Sequence, residues 1–364
     1  MKNKLTKIYF TIVLLLLSFN HLFAQQDLTM YNMPAIGQSI RVNPSLMPVN
    51  KYYVGIPFIS SNYLLFSHNA FVYHDFYKIR SDDSVQIDVS NALSKLKKSN
   101  YLKTDFQIDY LSLGITLNKF YITGNITEHV AFRFAYAKEL LQLINEGNGP
   151  FIGQKLDFSK TGFDATHYRE YALGLAHEIN DQWTVGGRLK YLYGMENFSS
   201  TTGELGLITA EEDYHLQLPT DVVINTSGPV NSEDGYDQFN DNDGNTASRN
   251  VKDYLFHQKN RGFAVDLGGT YKPNDTWSFS ASVLDLGSIK WKSDVRNYRS
   301  RAGQYDFNGV DLKSFLNDTS ANIQGALDSL GKVFKAEETH DSYKTNLPTQ
   351  VNLSSNYTID DNSF

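Results

Sequence analysis

No cysteine occurs in the 364 residues. That excludes a disulfide framework, a thiolate zinc site and a cysteine nucleophile, and with them the acylated cysteine of a bacterial lipoprotein. Charge is sparse: 20% of residues are Asp, Glu, Lys or Arg, and the acids lead, giving a net charge of -7 and a pI near 5.7. Phosphate binding needs clustered Lys and Arg, so this balance argues against a nucleic-acid partner. Long apolar runs are missing after the first two dozen residues, and a mean hydropathy of -0.38 does not fit a bundle of membrane helices, which needs repeated apolar runs of about 20 residues. Nine prolines are too few for a collagen-like or disordered chain. What is plentiful is aromatic, with 23 Tyr and 23 Phe.

The N-terminus reads as an address. Lys2, Lys4 and Lys7 precede an uncharged run from Ile8 to Leu17, and Leu22-Phe23-Ala24 leads into Gln25-Gln26. A basic start, a short apolar stretch and a small residue at the cut describe a secretory signal peptide over residues 1–24, leaving 25–364 as one exported domain. Cleavage removes three Lys and no acid, which takes the net charge from -7 to -10.

Three segments then share one design. From Tyr171, the odd positions Leu173, Leu175, His177 and Ile179 alternate with Ala172, Gly174, Ala176 and Glu178. Successive side chains of a strand point to opposite faces, so one face is apolar and the other small or polar. After Asn180-Asp181-Gln182, Trp183, Val185, Leu189, Tyr191 and Tyr193 oppose Thr184, Gly186, Arg188 and Lys190. Residues 262–283 repeat the pattern around Pro273-Asn274-Asp275, and a third copy runs from Val351 to Ile359, turning at Asp360-Asp361-Asn362. An aromatic follows each turn at the same spacing: Trp183, Trp277 and Phe364.

A soluble sandwich and a membrane barrel both produce such alternation. Strands of nine to twelve residues, aromatics beside tight turns, and long connections at 196–261 and 292–347 favour the barrel. The expected fold is therefore all-β: an antiparallel transmembrane β-barrel of the outer membrane, surrounded by lipid. Further strands are expected at 51–60, broken by Pro57, at Leu111–Thr123 around Asn118-Lys119, and at Val130–Tyr136; the stretch 203–226 offers strands projecting beyond the membrane. At least eight strands result.

Short helices belong to the loops or to a plug. Leu140, Leu141 and Ile144 share a face that ends at Gly147, and Ile323, Ala326, Leu327 and Leu330 form a second stripe after Leu312, Phe315 and Leu316. An Asn- and Asp-rich stretch spans 231–250. Its Asp237, Asp241, Asp243 and Gly244 evoke a calcium loop, but Phe239 and Asn250 stand where that loop needs oxygen ligands, so a solvated loop is expected. No HExxH, GxSxG or Walker pattern occurs, and no enzyme activity, metal or cofactor is expected.

The informative polar residues lie among the small ones. Arg188 and Lys190 on a lipid face would each cost about 2–4 kcal/mol, so they are assigned to the lumen with Glu178 and Asp266. Either base is expected to pair with such a carboxylate across neighbouring strands, and in an open channel Arg188→Glu would change ion selectivity. Continued parity from Trp277 would turn Asp285 to lipid, so a bulge is expected at Asp285-Leu286-Gly287.

Certain phrases carry a resemblance: Gln38-Ser39, Asn43-Pro44, Tyr53-Val54-Gly55-Ile56-Pro57, Lys138-Glu139-Leu140-Leu141 with Glu146-Gly147-Asn148, His167-Tyr168-Arg169-Glu170-Tyr171, Gly187-Arg188-Leu189-Lys190-Tyr191, and Leu284-Asp285-Leu286-Gly287 with Trp291. Together, from about Gln38 to the end, they resemble an uncharacterised family of Bacteroidota outer-membrane barrels described only as a domain of unknown function. More distantly, the phrase ending in Trp291 is similar to long-chain fatty-acid transporter-type barrels and to barrel subunits of the type IX secretion machinery. The resemblance implies no catalytic or ligand residue. Members of that family run longer, and Phe364 stands where Trp183 and Trp277 open a second strand, so the barrel is expected to be incomplete at its C-terminus. Two functions follow as expectations: a channel or facilitated transporter for small solutes, hydrophobic ones among them, or a scaffold in a secretion, gliding or envelope-assembly complex. The scaffold would meet envelope proteins through 196–261 and 292–347.

Overall fold

Alternating sequence becomes strand almost throughout. The computed structural model describes residues 30–31, 33, 36–57, 59–70, 72–229, 251–256, 259–300, 303–307 and 336–358. The signal segment, the 231–250 stretch with its calcium-like residues, the stripe at 312–330 and the final turn with Phe364 lie outside the described residues.

In chain order the strands are β1 (Tyr52–Gly55), β2 (Asn62–His68), β3 (Tyr77–Ile79), β4 (Val85–Ile87), β5 (Ser99–Leu117), β6 (Phe120–Ala137), β7 (Lys155–Asp157), β8 (Gly162–Glu178) and β9 (Trp183–Thr209). There follow β10 (Leu216–Ser227), β11 (Asn260–Tyr271), β12 (Trp277–Trp291), β13 (Val295–Arg299), β14 (Gly303–Phe307), β15 (Glu337–Thr339), β16 (Tyr343–Asn346) and β17 (Gln350–Tyr357). Helices α1 (Val89–Lys95) and α2 (Lys138–Glu146) are short. The protein is mostly β: one large antiparallel sheet, with β3 and β4 as a separate ribbon. No helix among the described residues is long and apolar enough to cross a membrane.

The central path runs β5–β6–β8–β9, with tight hairpins at β5–β6 and β8–β9 and a longer connection through α2 and β7 between β6 and β8. At β9 the sheet branches. Residues 183–194 pair with β11, which continues to β12 and β17, whereas residues 197–209 pair with β10. Met195 is the extra residue at the branch, fully buried, where the β8 register shifts.

Two sequence expectations change here. Val130–Tyr136 is the second half of β6 rather than a further strand. The connection at 196–261 begins as strand, because β9 runs 27 residues and hairpins onto β10. The nine-to-twelve estimate counted only the stretch of clean alternation; polar residues of 196–209 pair through their backbones equally well, and main-chain bonding needs no alternation.

The turns are built alike. Asn180 Oδ1 accepts from the backbone N–H groups of Gln182 and Trp183, and Asn274 Oδ1 accepts from those of Thr276 and Trp277. Such Asx turns explain the fixed spacing from Asn to aromatic. The aromatics gather at this edge: Trp183 stacks on Tyr271 at 4.5 Å, Trp277 meets Tyr357 at 4.8 Å, and Phe120 stacks on His177 at 4.2 Å.

Helix α2 ends as expected, with Gly147 at φ 73°. Leu140, Leu141 and Ile144 fall within one arc of about 100°, and that face meets two clusters. Leu140 packs on Leu156, Phe158 and Leu207, Leu141 packs on Ala70, Leu93 and Leu96, and Ile144 is exposed. Adjacent helix positions point about 100° apart, so the helix wedges between two clusters.

The main apolar cluster joins Tyr168, Leu192, Ala264, Ile289, Trp291 and Leu347 on one face of the sheet. Trp291 Nε1 donates to Thr345 Oγ1 at 2.8 Å, which satisfies its polar end. Ile289→Val removes one fully buried methylene and is expected to cost about 0.5–1.5 kcal/mol, lowering the denaturant midpoint without changing the slope.

Candidate functional site

Parity sends two kinds of side chain to opposite faces. On one face of β8, β9, β11 and β17, Leu173, Leu189, Phe263 and Leu353 are 68–72% exposed. On the other, Arg188 and Glu170 are 3% exposed and Asp266 is 0%. The molecule buries charge and exposes hydrocarbon.

The buried charges form one network. Asp266 stands directly opposite Arg188 in the β11–β9 register. Arg188 Nη1 donates to Asp266 Oδ2 at 2.9 Å, and Nη2 donates to Glu170 Oε1 at 2.9 Å and Asn125 Oδ1 at 3.1 Å. Lys190 Nζ lies 2.9 Å from Asp266 Oδ2, 3.4 Å from Glu170 Oε2 and 2.6 Å from Asp285 Oδ1. Gly174 and Ala172 lie across from the two bases on β8, so no bulky side chain there obstructs them.

Asp285 reaches this face through the expected bulge. The β11–β12 register shifts between Val265 and Leu267, Asp285 adopts φ 60°, and its backbone N–H donates to Asp266 Oδ1 at 2.7 Å. One extra residue thus turns what parity would have exposed into a third carboxylate for Lys190.

A non-strand segment packs against the same face. Residues Gly37–Arg41 form a 3-10 turn and the chain continues through Ser45. Arg41 pairs with Asp109, and Thr127 Oγ1 donates to that carboxylate at 2.8 Å. The Val42 carbonyl accepts from Ser282 Oγ at 2.6 Å, Tyr31 OH at 3.1 Å and Asn352 Nδ2 at 3.2 Å. Asp109 is on β5 and Asn352 on β17, six strand steps away through β6, β8, β9, β11 and β12. At about 4.8 Å per step a flat sheet would put them about 29 Å apart, yet adjacent residues of one segment touch both. The sheet curves around this segment.

Glycines make the fit. A Cβ at Gly186 would lie 2.0 Å from the Pro44 carbonyl oxygen, and one at Gly268 would lie 2.0 Å from Asn43 Oδ1. Between segment and wall remains a cavity of about 70 Å³, lined by Arg41, His129, Glu170, Arg188, Lys190 and Asp285 among others.

Of the residues singled out from sequence, Arg188, Lys190 and Asp266 meet in the network. Glu178 does not: it stands half-buried at the end of β8 beside the turn, and no ion pair among the described residues includes it. Its position in the alternation gave its face but not its height along the strand. Glu170, one residue before the point where the alternation was read, shares the parity of Ala172 and was accessible by extending it. Arg41 and Asp109 carried no periodic signal.

Arg169, on the apolar parity, is served differently. Its Nε donates to Glu128 Oε2 at 2.7 Å, Glu128 Oε1 lies 2.5 Å from His167 Nε2, and the rings of Tyr110 and Phe256 lie against the guanidinium. The residues 251–256 thus cap an outward polar cluster. Among the described residues no group of three or more His, Asp or Glu is arranged to hold a metal ion.

Residues 44–364 match a family described as a family of unknown function, DUF5723. No curated protein and no solved structure matches the chain. The matched span covers most of the sequence, and the chain belongs to that family.

Proposed function

We propose that this member of DUF5723 is an outer-membrane β-barrel that serves as a channel or facilitated transporter for small solutes. The inversion of the sheet carries the reading: Leu173, Leu189, Phe263 and Leu353 face outward, while Arg188, Glu170, Lys190 and Asp266 are buried on the other face. Water penalises that arrangement and a bilayer rewards it, because apolar side chains lose nothing in lipid and a barrel turns its polar residues to the lumen. The ring pairs at the turn edge sit where an interfacial girdle belongs. Strands of 17–19 residues in β5, β6 and β8 exceed the 9–11 that cross the hydrocarbon, so their far ends project beyond it.

The projecting part supports a second reading. Beyond Met195, β9, β10, β13 and β14 continue the sheet away from the charged network, and this surface would suit a scaffold that docks envelope proteins.

Gel mobility of the protein from an outer-membrane fraction tests the architecture. A closed barrel runs faster unboiled than boiled; recovery in the soluble periplasm without a heat shift would defeat it. Swelling of liposomes carrying the protein in small sugars is expected for the transporter, and stable co-purification of partners without swelling for the scaffold.

A further inference from the structure

The geometry points to residues 36–47 as a built-in peptide ligand of the curved wall, one that must leave for passage to open and whose seat takes a turn-forming peptide bearing a basic side chain. This rests on the transporter reading and names the ligand class of its interior.

The seat is made for a main chain. Ser282 and Asn352, on neighbouring strands, both donate to the Val42 carbonyl, and Tyr121 OH donates to the Gly37 carbonyl at 3.5 Å. Side chains are read as well. Asn43 Nδ2 donates to the Ala281 carbonyl at 3.4 Å, and Ser45 Oγ lies 2.7 Å from Thr270 Oγ1. The basic group has its own receptor in Asp109, which is buried and held by Thr127. Gly186 and Gly268 leave a trough that any Cβ would fill, so the wall is shaped to accept backbone at van der Waals distance.

The segment itself adds no strand to the sheet. Its attachments are side-chain hydrogen bonds, one ion pair and the packing of Ile40 against Tyr121 and Ala176, each replaceable by the same groups on another peptide. A strand in the ladder would have to break a whole row of backbone bonds to leave; this segment has no such row to break.

Planar-bilayer conductance of the full-length protein tests the proposal. Arg41→Ala removes the latch, and the conductance of heat-shifted, folded protein is expected to rise several-fold over the unsubstituted protein. A synthetic peptide of residues 36–47 added to that variant is expected to block the current, while the same peptide with alanine for Arg41 blocks weakly. Unchanged conductance in the folded variant, or no block by the peptide, overturns the proposal and leaves the transporter reading standing on liposome swelling. The absence of native cysteine supplies a second route that does not depend on the latch variant folding. Ser45→Cys with Thr270→Cys places two thiols where two hydroxyls now touch. The oxidised protein is expected to carry less current than the reduced protein, in which the segment can still leave; equal currents in both states would equally overturn the proposal.

Discussion

Asp266→Ala is expected to cost about 3–5 kcal/mol of unfolding free energy, the range for removing one partner of a buried ion pair. Asp266 is fully buried and accepts from three donors: Arg188 Nη1, Lys190 Nζ and the Asp285 backbone N–H. Its loss leaves Arg188 and Lys190 sharing Glu170 and Asp285, and frees the N–H that fixes the bulge. The reading is a lower urea midpoint and a lower temperature for losing the fast gel band. A Lys190→Met partner in a double-mutant cycle should show strong coupling, because both residues belong to one network. A loss below about 1 kcal/mol would mean that the network is hydrated and its charges are not interdependent. The same geometry changes the meaning of Arg188→Glu. That substitution would bring a fourth carboxylate among Glu170, Asp266 and Asp285, so it reports on folding before it reports on ion selectivity.

Leu173→Arg separates lipid from water outside the sheet. Leu173 is 72% exposed and pairs with Leu189, which is equally open. In a soluble protein an exposed substitution of this kind changes stability by no more than about 0.5 kcal/mol. On a lipid-facing strand arginine costs about 2–4 kcal/mol near mid-membrane. Unfolding in vesicles, compared with Glu212→Arg in the exposed turn before β10, isolates the effect. Equal costs at the two positions would sink the lipid-facing assignment of this face.

How much of this was legible in the sequence depended on regularity. Tyr171–Ile179 and Trp183–Tyr193 declare their faces because every second residue is apolar, and the structure keeps Leu173 and Leu189 together on the open face. The bulge at Asp285 was legible through a conflict: a carboxylate on the wrong parity, two residues before a glycine. What parity cannot supply is height. Glu178 shares a face with Ala176 and yet ends beside the turn, away from Arg188 and Lys190. Nor does alternation extend to segments that are not strands. Gln38-Ser39 and Asn43-Pro44 stood out only as phrases of a resemblance, and nothing in their spacing announced a segment that fills the curve of the sheet. The length of β9 was hidden for a related reason, since residues 197–209 are held by backbone pairing with β10 and show little contrast between faces.

The Val42 carbonyl and Asn352 are separated by 310 positions in the chain. A ribosome makes the interior segment first, but its seat lacks β12 and β17 until the last part of the described chain is in place. Between those moments residues 36–47 have nowhere to bind, and closing so long a loop delays the contact further. Assembly is therefore expected to follow an order: the β5–β6 and β8–β9 hairpins form early from near neighbours, and residues 36–47 settle last. A labelled segment should become protected from protease only after the sheet is complete, which makes its protection a clock for the final step of maturation.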